Sequence, residues 1–286
     1  MSPINSRIVP LLFAALSLAP AASAQSGATS AAQDEGYWGS WFERAEKARA
    51  GQPRWITPLA TTTPRLEQEF RYDIVRQRRP DGTTTQNYGN GKGLELIPFG
   101  KVEVIVGIPP YFIHDRAQAQ DGFGDWRLLV KYRLLSANER DGNYIVTAFM
   151  DVSLPTGSGA NDATNTILTP TIAYGKGFAR FDVQGTFGAG VPTGNLSAIG
   201  RTYTWNNALQ YQLLGKLWPE VEVNASFFRG GRNDDNKQVF VTPGVVFGRI
   251  PLSPRLGFAV GIGVQIAATE FRTSKHNAIL SVRFPF

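Results

Sequence analysis

The 286 residues contain no cysteine, two histidines and two methionines. Without cysteine no disulfide can form, so an exported protein of this kind must be held together by other means. Two isolated histidines and no thiol exclude the ordinary zinc-ligand spacings. Long apolar runs are missing as well. The nearest, Leu256 to Ala268, is rich in glycine and broken by Gln265, about two-thirds of the roughly 20 residues that a spanning helix needs. A helical membrane protein is therefore excluded. Basic residues alternate with acidic ones instead of forming blocks, which argues against a nucleic-acid partner.

What is present begins with export. Arg7 precedes the short apolar core Ile8 to Leu18, and Ala22-Ser23-Ala24 supplies a small-x-small cleavage site. This reads as a signal peptide over residues 1–24, too short to be a membrane anchor. Its removal leaves 28 basic against 23 acidic residues, a net charge of +5. Residues 25–64 read as an N-terminal periplasmic lead. Within it Ser40 and Glu43 form a capping-box pattern, predicting a helix near 41–50 that ends at Gly51 and Pro53. That helix can lie below a barrel, at the membrane interface, or inside as a plug, and the periplasmic placement is the simplest. Thr57 to Pro64 reads as an extended linker.

From Arg65 onwards the period is two. Leu66, Phe70, Tyr72 and Ile74 alternate with Arg65, Glu67, Glu69, Arg71 and Asp73; Trp126, Leu128, Val130, Tyr132 and Leu134 alternate with Asp125, Arg127, Lys131 and Arg133. Strands are expected near 65–77, 92–98, 101–108, 123–135, 144–154, 166–174, 178–190, 201–213, 217–229, 238–249, 255–268 and 276–286. Twelve strands, many near the length of a tilted membrane strand, favour a transmembrane antiparallel β-barrel over a soluble sandwich. Connections alternate in length: 78–91 is long, Phe99-Gly100 tight, 109–122 long, 155–165 long, Gly175-Lys176-Gly177 tight, and 191–200 long. Periplasmic turns and extracellular loops give that pattern. The C-terminal strand carries Ala278, Leu280, Val282, Phe284 and Phe286 on one face. It resembles the carboxy-terminal assembly signal of outer-membrane barrels, which implies the barrel-assembly machinery as a partner.

Several phrases together resemble one family: Thr57-Pro58-Leu59 leading into Thr63-Pro64-Arg65-Leu66-Glu67-Gln68-Glu69-Phe70, then Gly122-Phe123-Gly124-Asp125-Trp126, Lys131-Tyr132-Arg133-Leu134-Leu135 and Leu154-Pro155-Thr156-Gly157. They are similar to outer-membrane transporters associated with the meta-cleavage pathway of phenol degradation. The resemblance runs from about Trp55 to Phe286. It implies an outer-membrane barrel carrying small, hydrophobic or aromatic molecules.

No catalytic or metal constellation stands out. His114 and His276 are far apart in sequence, and the motif of an outer-membrane lipid hydrolase is absent. Asn233-Asp234-Asp235-Asn236 lacks the spacing of a calcium loop, and Gly89-Asn90-Gly91-Lys92-Gly93 lacks the Ser or Thr and the helix of a phosphate loop. The informative residues are the polar strand faces. Charge facing lipid at mid-membrane costs roughly 2–4 kcal/mol per Arg or Lys. Glu67, Glu69, Arg71, Asp73, Glu103, Asp125, Arg127, Lys131, Arg133, Asp151, Arg180, Asp182, Glu222 and Arg283 are therefore expected in the lumen. They can form a selective pathway for passive diffusion of a small solute, or neutralise one another in a closed network. The competing function is a non-conducting structural or adhesive barrel acting through its outer loops. Lipid and lipopolysaccharide are the expected surroundings, with no cofactor and no enzymatic activity.

Overall fold

In a computed structural model, the structure describes Tyr37, residues 39–116 and residues 118–286. The expected signal peptide, residues 1–24, and residues 25–36 lie outside the described residues. Helix α1 spans Trp41–Ala50. Ser40 precedes it but makes no side-chain cap, because its hydroxyl accepts from Arg44 Nη1 at 2.6 Å instead.

Fifteen antiparallel strands follow: β1 (Glu69–Arg78), β2 (Thr84–Gly89), β3 (Gly93–Phe99), β4 (Val102–Gly107), β5 (Tyr111–His114), β6 (Gly122–Phe123), β7 (Trp126–Ala137), β8 (Tyr144–Leu154), β9 (Ile167–Phe178), β10 (Phe181–Pro192), β11 (Arg201–Tyr211), β12 (Leu217–Arg229), β13 (Lys237–Pro251), β14 (Gly257–Ala267) and β15 (His276–Pro285). Twelve of them close a barrel, with β15 pairing back onto β1 from Glu69↔Pro285 to Arg78↔His276. Closure leaves no unpaired edge in the wall, as a membrane-embedded sheet requires.

The other three are outward continuations of wall strands. β1 pairs with β3 at its start and with β2 further on, and the register steps by two residues across Asn90 to Lys92. β5 continues β4 past Pro109-Pro110, and β6 precedes β7 across Gly124-Asp125. Proline has no N–H for a ladder, so the wall opens there into a small three-stranded extension at the loop end.

One expected turn lies elsewhere. Gly175-Lys176-Gly177 does not reverse the chain; β9 runs through it and Ala179-Arg180 makes the turn, with Ala179 in the left-handed region (φ 54°). The glycines serve the interior. A Cβ at Gly175 would strike the Trp55 ring, and one at Gly177 would lie 2.7 Å from Trp55 Nε1.

The two faces divide as the period of two predicts. Phe187, Trp205, Val221, Ile262 and Leu280 lie on the exposed outer wall, whereas Arg71, Asp73, Glu103, Lys131, Glu222 and Arg283 are buried inside. Aromatic pairs collect near both ends: Phe181 with Tyr211 (4.6 Å) and Phe258 with Phe284 (5.6 Å) at the turn end, Tyr111 with Phe123 (5.0 Å) and Phe228 with Phe271 (5.5 Å) at the loop end. Amphipathic rings favour the two membrane–water interfaces.

The occupied lumen as candidate functional site

The lead does not hang below the barrel. Helix α1 lies at the turn end, where the Ala48 carbonyl accepts from Arg133 Nη1 (2.5 Å) and the Gly51 carbonyl accepts from Ser136 Oγ (2.6 Å). Residues 52–68 then run into the lumen, with Gln52, Trp55, Ile56, Leu59, Thr61, Thr63, Arg65 and Leu66 all buried. The physical reason lies in the backbone. This segment carries Pro53, Pro58 and Pro64 and forms neither helix nor strand, so it satisfies few of its own N–H and C=O groups. Buried backbone groups need partners, and the lumen supplies them.

Carboxylates take the amides. Glu220 Oε1 accepts from the Leu59 N–H at 3.0 Å, and the two oxygens of Glu222 accept from Ala60 (2.7 Å) and Thr61 (2.6 Å). Glu103 Oε2 accepts from the Glu67 N–H at 2.6 Å. Cations take the carbonyls. Arg71 donates to the carbonyls of Pro58 (3.3 Å) and Leu59 (2.5 Å), and Arg283 to those of Thr57 and Pro58. Lys131 Nζ donates to Arg65 O (3.1 Å), Arg249 to Trp55 O, and Thr147 Oγ1 to Pro64 O (2.6 Å). Gln184 donates to Ile56 O (2.9 Å) while its own carbonyl accepts from Thr63 Oγ1 (2.6 Å).

Ion pairs complete the network. Arg71 binds Asp73 at 2.8 Å, Lys131 binds Glu103 at 2.9 Å, Arg65 binds Glu67 at 2.8 Å, and Arg127 pairs with Asp151. The charges therefore do both things at once: they neutralise one another and they hold the lead.

Apolar side chains of the lead dock into glycine-lined sockets. Leu59 sits over β13 and β14, where a Cβ at Gly261 or Gly263 would lie 2.6 Å from one of its methyls. Around it Ile56, Trp218 and Val246 form a small buried cluster. At the turn end Ala45, Ala48, Leu66 and Ile97 form another.

What stays open is divided. A chamber of about 350 Å³ at the turn end is lined by Glu46, Arg54, Glu69, Arg249 and Arg283. A vestibule of about 350 Å³ at the loop end is lined by Thr62, Arg127, Phe149, Thr169, Thr171, Thr186, Thr202 and Thr204. Between them, at Thr57, Thr63, Arg71, Lys92 and Lys131, the free space is about 50 Å³. That is room for one or two waters, whose share of liquid volume is about 30 Å³ each.

Most of the residues expected in the lumen meet in this network: Glu67, Arg71, Asp73, Glu103, Lys131, Arg133, Glu222 and Arg283 all hold the lead or a partner that does. Glu69 lines the turn-end chamber, Asp182 accepts from Gln184 at 3.0 Å, and Arg127 with Asp151 faces the vestibule. Two lie elsewhere. Arg180 is exposed in the two-residue turn after β9, because the turn falls later than the glycines suggest. Asp125 organises a loop, accepting from the N–H groups of Thr156 (3.2 Å), Gly157 (3.1 Å) and Ala163 (3.0 Å). The sequence reading placed Gln184 on the polar face of its strand but missed Glu220, Lys92 and Arg249. Glu220 was findable: it lies two residues before Glu222, on the same face of β12. On β15, Ala278, Leu280, Val282 and Phe284 face outward while Ser281 and Arg283 are buried. Ser274 is buried and His276 exposed, which leaves no shared hydrolytic surface between them.

A closed antiparallel wall, apolar outside and charged inside with aromatic ends, defines the class: this is an outer-membrane β-barrel of twelve wall strands. The family model "Putative MetA-pathway of phenol degradation" matches residues 60–284, and the chain belongs to that family. Among solved structures, an outer-membrane channel from Pseudomonas putida F1 aligns over 81% of this chain and 99% of its own, with 13% identity and a TM-score of 0.56. The KdgM porin in complex with disordered oligogalacturonate aligns over 76% and 99%, with 10% identity and a TM-score of 0.43. At such identities the likeness speaks to fold alone, and it rests on the first of the two. No curated protein matches the chain.

Proposed function

We propose that this protein is an outer-membrane channel for small molecules whose pathway is held shut by its own lead. The observation that carries the reading is the pair of 350 Å³ spaces separated by about 50 Å³. Cavities of a few hundred Å³ suit small organic molecules, and Thr57, Thr62 and Thr63 of the lead border the narrow space between them, so withdrawal of the lead would join them. The loop end, with the vestibule, faces outside; the turn end, with α1, faces the periplasm. Passage is passive diffusion, and the family's connection with phenol degradation favours an aromatic or otherwise apolar solute.

The experiment is single-channel conductance of the refolded full chain and of a form lacking residues 37–64. The expected result is small or rare steps in the first and large stable steps in the second. A truncated barrel that folds, as judged by its heat-modifiable electrophoretic shift, yet stays silent would refute the channel reading.

One observation favours sideways release as a second reading. Between β9 and β10 the ladder lapses at Pro170, where the pairs opposite Ala189 and Gly190 are missing. An apolar groove of about 510 Å³ lies there on the outer wall, lined by Val130, Met150, Pro170, Ile172, Phe187 and Ala189; Phe149 and Thr171 border both it and the vestibule. Pro170→Val, which restores the missing donor, is expected to slow uptake of apolar solutes and leave ion conductance unchanged. Equal slowing of both would remove this reading.

A further inference from the structure

The three-stranded extension above the wall encloses a space that the channel reading does not use. In-register pairing of β1, β2 and β5 places Gln77, Thr85 and His114 in one row and sets Asn87 opposite Phe112. Phe112 and His114 face inward, and with Arg79, Arg116 and Gln120 they line a cavity of about 370 Å³. We propose that this cavity binds an aromatic carboxylate at the outer mouth of the barrel.

Three features set the ligand class. The first is unspent positive charge. Arg79 Nε is buried with no hydrogen-bond acceptor among the described residues, a costly state for a guanidinium N–H. Among the described residues the Arg116 side chain is held by a stretched contact to Asp81 alone, 4.0 Å long between two half-exposed side chains.

The second feature is that the neighbouring acids turn to the loop backbone and do not line the cavity. Asp81 Oδ1 accepts from the N–H (2.9 Å) and hydroxyl (2.7 Å) of Thr83. Asp115 Oδ1 accepts from the Thr84 N–H at 3.1 Å, and Asp121 Oδ1 from the His114 N–H at 2.8 Å. Two guanidinium groups thus line a cavity that, among the described residues, no carboxylate lines. A planar carboxylate is the ligand group that a guanidinium fork matches with two parallel hydrogen bonds.

The third feature is a flat apolar surface. The Phe112 ring stacks on the His114 ring at 6.1 Å with 24° between planes. The imidazole is fixed at both nitrogens, Nδ1 by Thr85 Oγ1 (3.1 Å) and Nε2 by Asn161 Oδ1 (3.0 Å). A ring held in place on a rigid partner offers a stacking platform at little entropic cost.

The test is calorimetric titration of the refolded full chain in detergent with benzoate, benzyl alcohol and acetate. Benzoate is expected to bind more tightly than either, since only it offers both the ring and the charge. Arg79→Gln and Arg116→Gln should each weaken benzoate about tenfold or more and leave benzyl alcohol unchanged, while Arg127→Gln in the vestibule should have no effect. Arg116 is exposed, so its variant keeps the test available if Arg79→Gln does not fold. The proposal is overturned by equal binding of benzoate and benzyl alcohol, by benzoate binding indifferent to both arginines, or by loss confined to Arg127→Gln. Binding in detergent needs no transport, so a silent conductance trace refutes the channel and leaves this site standing.

Discussion

The lead's hold on the lumen can be weakened at one atom. In Glu222→Gln the side chain keeps its size, but one of its two oxygens becomes an NH2. Both oxygens are in use, on Ala60 at 2.7 Å and Thr61 at 2.6 Å. One backbone N–H then loses a charged acceptor and faces a donor. Hydrogen bonds to charged groups contribute about 1.5–3 kcal/mol, so the docked lead should lose about 2 kcal/mol. At 1.4 kcal/mol per factor of ten, the population with the lead displaced rises roughly 30-fold.

In a planar bilayer this appears as more frequent openings of unchanged size, because the substitution alters how often the lead leaves and not the width of the emptied barrel. Adding Glu220→Gln, which serves the adjoining Leu59 N–H, should raise open probability further. The two effects will not simply add, because the residues share one strip of backbone. If the double variant gates like the unmodified protein while removal of residues 37–64 opens the pore, the carboxylate contacts do not hold the lead and the reasoning fails.

Three further outcomes are expected. Arg71→Leu strands Asp73 without its 2.8 Å partner and the Leu59 carbonyl without its donor, while Pro58 O keeps Arg283; a broken buried pair costs about 3–5 kcal/mol, readable as a lowered urea midpoint in unfolding from lipid vesicles. Ile262→Arg, on the exposed outer wall, should destabilise the barrel in vesicles by roughly 2–4 kcal/mol, and an unchanged midpoint would mean that this face is not in lipid. Gly263→Val pushes into Leu59, whose methyl is 2.6 Å from even a Cβ there; open probability should rise with the barrel still heat-modifiable, and a lowered open probability would contradict the socket.

The wall was legible because its physics is local. Alternation along β7, β8 and β15 is dictated by lipid on one side and water or protein on the other, and it places Lys131, Thr147 and Arg283 inside without any knowledge of neighbours. The occupied lumen was not legible, for two reasons. A segment without helix or strand, such as 52–68, has no period, so its sequence carries no sign of what surrounds it. The glycines of β9 read as a turn, while their use is to admit Trp55, as those of β14 admit Leu59, a fact of three-dimensional proximity. Arg180 shows the same limit on a smaller scale. Once the turn moved from Gly175–Gly177 to Ala179-Arg180, the alternation that assigned this side chain to the lumen no longer applied.

The network also explains why so many ionised groups lie in a barrel interior with little free water. A lead that formed a helix would satisfy its own backbone and need no charged wall; a proline-interrupted, irregular lead cannot, so each of its buried amides and carbonyls calls for a side-chain partner. On the proposed channel reading, the same choice makes the closed state reversible. Paired charges left in a dry cavity would be expensive, but the lumen is open to water at both ends once the lead withdraws. Water then serves Glu220, Glu222, Arg71 and Arg283 in place of the lead's backbone, and the net difference per exchanged hydrogen bond is small compared with its gross strength. A hydrophobic plug of the same length would forfeit its burial energy on leaving, with nothing returned. A polar strip on a charged wall is therefore the form of closure that best suits a pathway meant to open.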